Sequence, residues 1–176
     1  MDFTRLTEHV MDVIKEEQVK LGYRKERISL YYPLDSLNLL LEGNYDISGM
    51  HEQLKAFDGE AVWGAGQVEI WNEKERFCLS FSPEVAEYVH THTADSGFLY
   101  DLVDAVSRHG TSVEEVLAVF HRYSEHVRCE KMPDPDFDCL VWFEDGVPDT
   151  YRYCLKEEMG HVIYHRYTEE DYRRLM

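Results

Sequence analysis

Beyond residue 136 the hydrophobic pattern of this chain changes its period, and that change constrains the fold more than any other feature. Residues 137–143, 151–157 and 161–167 alternate apolar and polar side chains, as half-buried strands do. Asp145-Gly146 and Met159-Gly160 fall at the two joins and carry hairpin-turn chemistry. Before residue 132 apolar residues recur mostly at helical spacing. Leu6, Val10, Val13, Ile14 and Leu21 mark a first helix stopped by Gly22. Leu34, Leu37, Leu40 and Leu41 mark a second, with Pro33 in its first turn, and Ile47, Met50, Leu54 and Phe57 a third. Residues 28–31 read as a short extended piece, and residues 67–71 and 77–81 as a β-hairpin around a polar turn. Ser82-Pro83 opens a further helix, and Leu99, Leu102, Val103 and Val106 line another. Ser112-Val113-Glu114-Glu115 is a capping box, with Val116, Leu117, Phe120, Tyr123 and Val127 as the stripe behind it. Helices and strands gathered in separate runs predict an α+β fold with antiparallel sheet. A chain of 176 residues is expected to form a single domain, residues 1–176. Met132-Pro133-Asp134-Pro135-Asp136 is the one firm break, and hence the candidate subdivision at 132–136.

Three groups of residues carry a resemblance. Leu21-Gly22-Tyr23, Tyr31-Tyr32-Pro33-Leu34 and the run from Tyr164 through His165, Arg166, Tyr167, Thr168, Glu169, Glu170 and Asp171 to Tyr172 resemble a bacterial domain family of unknown function found in gut-dwelling Gram-positive bacteria. The likeness covers essentially the whole chain. It implies a bacterial cytosolic setting and brings no activity, ligand or catalytic residue with it.

Charge sets the classes of partner. The formal net charge is −17, which repels phosphate backbones and anionic lipid, so neither nucleic acid nor a membrane surface is an expected partner. Residues 28–110 hold fourteen acidic side chains against Lys55, Lys74, Arg76 and Arg108. The expected function is therefore that of a non-catalytic, acidic binding or regulatory protein engaging a basic protein partner. The candidate face is Asp35, Glu42, Asp46, Glu52, Asp58 and Glu60. The start of the chain, Met1-Asp2-Phe3-Thr4-Arg5, does not read as a secretory signal, which points to a cytoplasmic setting with Cys78, Cys129, Cys139 and Cys154 reduced.

Chemistry-bearing clusters supply the alternatives. His90-Thr91-His92 with Asp95 offers two imidazoles and a carboxylate from an extended segment, as a zinc-dependent hydrolase would need. The metallo-β-lactamase order fails, because Asp95 falls one residue late and Ser96 replaces the final His. His121, Glu125, His126 and Cys129 share a predicted helix, where His126 and Cys129 would add ligands. The zincin spacing of two histidines four apart is missing there. No cofactor is expected outside these alternatives. If the last turn but one centres on Gly146-Val147, Cys139 falls opposite Cys154. His161 and His165 share a strand face but stand about 13 Å apart, too far to chelate one ion. A third alternative is a small-molecule pocket lined by Tyr and Trp, although Trp63, Trp71 and Trp142 read first as core or groove fillers.

Overall fold

The computed structural model describes residues 2–93, 97–133 and 135–175. Among these the chain forms eight helices and seven strands in two antiparallel sheets, so the fold class is α+β. It divides into two compact units, Met1–Ala94 and Asp95–Met176.

The first unit begins with α1 (Thr4–Leu21). Leu6, Val10 and Ile14, four apart, are fully buried on one stripe. Gln18 extends that stripe and donates its amide to the Ala86 carbonyl at 2.9 Å. Strand β1 (Ile28–Pro33) ends at the proline, which stands just outside α2 (Leu34–Leu40) rather than in its first turn. Helix α3 (Ile47–Leu54) is capped by Asp46, whose carboxylate accepts from the Gly49 amide. Asp58 then caps a short extra helix, α4 (Gly59–Trp63). The hairpin β2 (Val68–Glu73) and β3 (Arg76–Phe81) then forms, followed by α5 (Pro83–His92).

β1 adds to the hairpin from the far side, giving the order β1-β3-β2. Register follows from the pairs Leu30↔Leu79↔Ile70 and Tyr31↔Cys78↔Trp71. Because side chains alternate across a strand, Ile28, Leu30, Phe77, Leu79, Phe81, Val68 and Ile70 face the core with α1 and α5. Tyr31, Cys78 and Trp71 lie in one row on the other face.

The second unit holds α6 (Gly97–Ser107), α7 (Val113–Tyr123), β4 (Val127–Lys131), β5 (Cys139–Phe143), β6 (Arg152–Glu158), β7 (His161–Tyr167) and α8 (Glu169–Leu175). The Ser112–Glu115 capping box forms as expected. The helix it opens stops earlier than the stripe suggests. The Ser124 hydroxyl accepts from the His126 amide at 2.9 Å, and the His126 carbonyl accepts from Glu144 at 2.8 Å. Val127 therefore enters a strand instead of completing the helical stripe, and the expected three-stranded meander gains a fourth member in the order β4-β5-β6-β7. The proline-rich segment is the loop of the β4–β5 hairpin. Lys131 pairs with Cys139, and the Met132 amide reaches the Asp138 carbonyl at 3.1 Å. The candidate subdivision at 132–136 thus falls inside one sheet.

One face of this sheet packs on α6 and α7 through an aromatic cluster of Phe98, Phe120, Phe143 and Tyr153. The other carries a smaller core of Met132, Leu140 and Cys154, against which Phe137, Trp142, Tyr167 and Tyr172 pack. Helix α8 supplies Tyr172 and is started by Thr168, whose hydroxyl accepts from the Asp171 amide. Cys139 pairs with Leu155 and Cys154 with Leu140. The β5–β6 connection centres on Val147, one half-step later than Gly146-Val147, so the two thiols sit on opposite faces rather than across from each other.

Burial sets the alkaline limit of this unit. The Tyr153 phenol, which donates to Asp149 at 2.6 Å, is held well above its ordinary range, chiefly by burial and then by the Asp149 charge. The Cys139 thiol is pushed up to about 12, first by burial and then by Cys129. Both folded values exceed the unfolded ones, 9.0 for the thiol and 10.0 for the phenol. Stability from the neutral forms is therefore complete below those values and is lost as pH rises through the window from 9.0 to about 12. The urea midpoint of this unit is expected to fall steadily above about pH 9. A midpoint that is flat up to pH 11 would contradict the assignment, and Tyr153→Phe should remove part of the slope.

Candidate functional site

The outer row of the first sheet is where the chain concentrates unused chemistry. Tyr31 on β1 and Trp71 on β2 are 55% and 46% exposed, whereas Cys78 between them on β3 is 1% exposed. A small residue on the central strand thus forms the floor between two aromatic walls. The walls stand two strand spacings apart, about 9–10 Å. The next row, Pro33↔Arg76↔Glu73, lies on the same face. Tyr31, Trp71, Glu73, Lys74, Arg76 and Cys78 line a cleft of about 660 Å³.

The cleft is held in shape by its backbone. Lys74, at φ 54°, makes the left-handed turn between β2 and β3. Asn72 donates to the Lys74 carbonyl at 2.8 Å, and its own carbonyl oxygen meets His51 at 2.6 Å. The Glu75 carbonyl accepts from the Leu34 amide at 2.8 Å. The hairpin tip carrying the two cations is therefore tied down on both sides.

Its electrostatics differ from those of the surrounding surface. Within residues 28–93 the basic side chains are Lys55, Lys74 and Arg76, and two of these three line the cleft. Lys55 is paired with Glu52. Among the described residues neither Lys74 nor Arg76 has a carboxylate partner. The Arg76 guanidinium lies over the Tyr31 ring, 5.3 Å from its centre, a cation–π placement. At the far end of the same face the polar groups are satisfied: Arg27 pairs with Glu69 at 3.1 Å, and Ser29 bonds Ser80 at 3.1 Å. The hydrogen bond with Cys78 pushes the Tyr31 phenol up from its ordinary range.

The other sequence candidates fall elsewhere. His90 and His92 lie in the last turn of helix α5, not on an extended segment. Two positions apart on a helix they are rotated by about 200°. His90 stacks on Tyr23 and His92 on Tyr88, each with ring centres 3.9 Å apart, so the two rings are committed to different neighbours. Asp95 lies outside the described residues. His126 and Cys129 are not on a helix: Cys129 is in β4 and His126 just precedes it. Three apart on extended backbone, they face opposite sides. Among the described residues no three His, Cys, Asp or Glu side chains are grouped to hold a metal.

Of the six carboxylates proposed as an acidic face, all belong to the segment running from α2 to α4, and all but Asp58 are exposed. Asp46 and Asp58 cap α3 and α4, Glu42 pairs with Arg5 at 2.9 Å, and Glu52 pairs with Lys55. Asp46 and Glu52, with Glu75, border a second concavity of about 770 Å³.

Periodicity alone did not single out the Tyr31–Trp71 cleft. The alternation of Glu69, Trp71 and Glu73 does signal an outward-facing row, but Tyr31 joins it only because β1 pairs with β3, Tyr31 standing opposite Cys78, 78 − 31 = 47 positions along the chain. No helix among the described residues is long and apolar enough to cross a membrane. No curated protein and no solved structure matches the chain. A family profile, described as a domain of unknown function from an E. rectale gene (DUF3877), matches residues 3–176, and the chain belongs to that bacterial family.

Proposed function

We propose that this chain is a non-catalytic binding protein that holds a planar aromatic anion, a ring bearing a carboxylate or phosphate, between Tyr31 and Trp71. The observation that carries the reading is the pairing of two exposed aromatic walls with two cations that lack carboxylate partners among the described residues. A ring stacked between two others needs about 7–8 Å between the walls, so side chains rooted about 9–10 Å apart lean inward by about 2 Å to grip it. The Arg76 fork suits a carboxylate or phosphate in bidentate contact, Lys74 adds a point charge, and Glu73 accepts from ring N–H or hydroxyl groups.

The test is a titration with AMP, flavin mononucleotide and an indole carboxylate, each beside its uncharged analogue, read by Trp fluorescence and thermal shift. The anions are expected to quench Trp71 and raise the melting temperature. Trp71→Ala should weaken binding about tenfold or more. Arg76→Gln should abolish the preference for the charged member of each pair. Absence of quenching with every probe, or unchanged affinity in Trp71→Ala, would refute the reading.

A second reading keeps the acidic surface of the α2–α4 segment as a dock for a basic protein. The exposure of five of its six carboxylates and their concavity beside α3 support it. In the same assay polylysine would then bind, more weakly as salt rises, and Trp71→Ala would leave that binding intact.

A further inference from the structure

Histidines 109 and 161 are 52 residues apart in sequence, yet their rings meet. The Gly110 amide donates to the Gly160 carbonyl at 2.7 Å, tying the α6–α7 connection to the β6–β7 turn. That turn is made by Met159 and Gly160 at φ 52° and 77°, the left-handed pair that a tight hairpin requires. A Cβ at position 160 would stand 3.0 Å from Cε1 of His109, so glycine there leaves the room the imidazole occupies. Nδ1 of His109 lies 3.1 Å from Nε2 of His161, and both side chains are exposed.

The ring geometry bears on what this pair does. Two imidazoles aimed head-on would separate their centres by the nitrogen gap plus a full ring width. The centres are 4.7 Å apart, and the planes meet at 61°, so the increment over the nitrogen gap is less than one ring width. The contact is therefore not collinear, and the two facing nitrogens lie close enough together for one ion to reach both. An ion about 2.05 Å from each nitrogen would see them at about 98°. That lies between the octahedral and tetrahedral angles, within the range of late first-row ions.

We propose that His109 and His161 form a bidentate site for a divalent late transition ion (Zn²⁺, Ni²⁺ or Cu²⁺). Water completes the coordination, and Glu158, opposite His161 in the β6–β7 ladder, adds negative potential. The site is separate from the Tyr31–Trp71 cleft and does not depend on the function proposed for it.

Tag-free protein titrated with NiCl₂, ZnCl₂ or CuCl₂ at neutral pH is expected to bind one equivalent. His109→Ala and His161→Ala should each weaken binding about tenfold or more, in line with losing one of two ligands. The double variant His90→Ala, His92→Ala should bind as the parent does. Acidification should weaken binding, because protons compete for both nitrogens. The unmodified protein gives a check free of folding effects: its Cu²⁺ spectrum should show coupling to two imidazole nitrogens, and Ni²⁺ should broaden the His109 and His161 ring resonances first. A one-nitrogen spectrum, broadening centred on other histidines, or unchanged affinity in His161→Ala would overturn the assignment.

Discussion

Replacing Phe98 with alanine is expected to destabilise the second unit by about 3–5 kcal/mol, the cost of emptying a buried aromatic site. Phe98 is fully buried near the start of α6. Its ring centre lies 4.9 Å from that of Phe120, 5.0 Å from Phe143, 5.5 Å from Tyr123 and 5.8 Å from Tyr153, all edge-on. One side chain therefore joins two helices to the two central strands. Edge-to-face pairs add about 0.5–1.5 kcal/mol beyond area burial, and four of them lose their common partner at once. Because domains of this size have about 5–15 kcal/mol of stability in total, the loss is a large fraction. Urea denaturation should show the lower midpoint, and amide exchange should accelerate across β5 and β6. Phe98→Leu, which keeps most of the volume, should cost under about 1.5 kcal/mol. A loss below 1 kcal/mol in the alanine variant would mean that the cluster repacks and Phe98 is not its centre.

How much of this was legible in the sequence depends on the range of the interaction. Local chemistry was readable. The stripe of Leu6, Val10 and Ile14, the Ser112–Glu115 capping box and the Met159-Gly160 turn all act within a few residues, and all are found where expected. The errors arose where a distant partner decided between two locally acceptable states. Residues 124–129 continue a helical stripe on paper, but a ladder with β5 converts Val127–Lys131 into a strand. That single change separates His126 from Cys129 and dissolves the proposed metal pair. His90 and His92 failed for the opposite reason: α5 runs through them and rotates them apart.

The candidate sites repeat the lesson. Trp71 could be placed on a hairpin from sequence, but nothing local says that β1 lies beyond β3 and brings Tyr31 into its row. His109 and His161 have no shared periodicity at all, and only the backbone bond between Gly110 and Gly160 places them together. The acidic residues were visible one by one. Their division into helix caps, ion pairs and open carboxylates required Arg5, Lys55 and the Gly49 and Gly59 amides to be located.

Gly66→Ala is expected to destabilise the first unit strongly, through backbone strain and crowding together. Gly66 sits at φ 79°, and a Cβ there would lie 2.6 Å from the Ser82 hydroxyl, 2.7 Å from Cγ2 of Val85 and 3.1 Å from the Val85 amide nitrogen. Left-handed backbone costs an alanine about 1–2 kcal/mol. Forcing the methyl against a helix start adds about 1–3 kcal/mol. The Ser82 hydroxyl also accepts from the Gln67 amide at 3.0 Å, beside the Ser82-to-Gln67 backbone bond at 3.0 Å. Displacing that side chain loosens the end of the β2–β3 hairpin. The combined loss is expected near 3–5 kcal/mol. Gly64 supplies the control two residues earlier. It is also left-handed, at φ 67°, but no atom of the described residues lies within 4 Å of its Cβ position. Gly64→Ala should therefore show the backbone cost alone, about 1–2 kcal/mol. The comparison separates strain from crowding on the same loop. Equal losses in the two variants would mean that Ser82 and Val85 yield freely, and that the start of α5 does not hold β2, and Trp71 with it, in place.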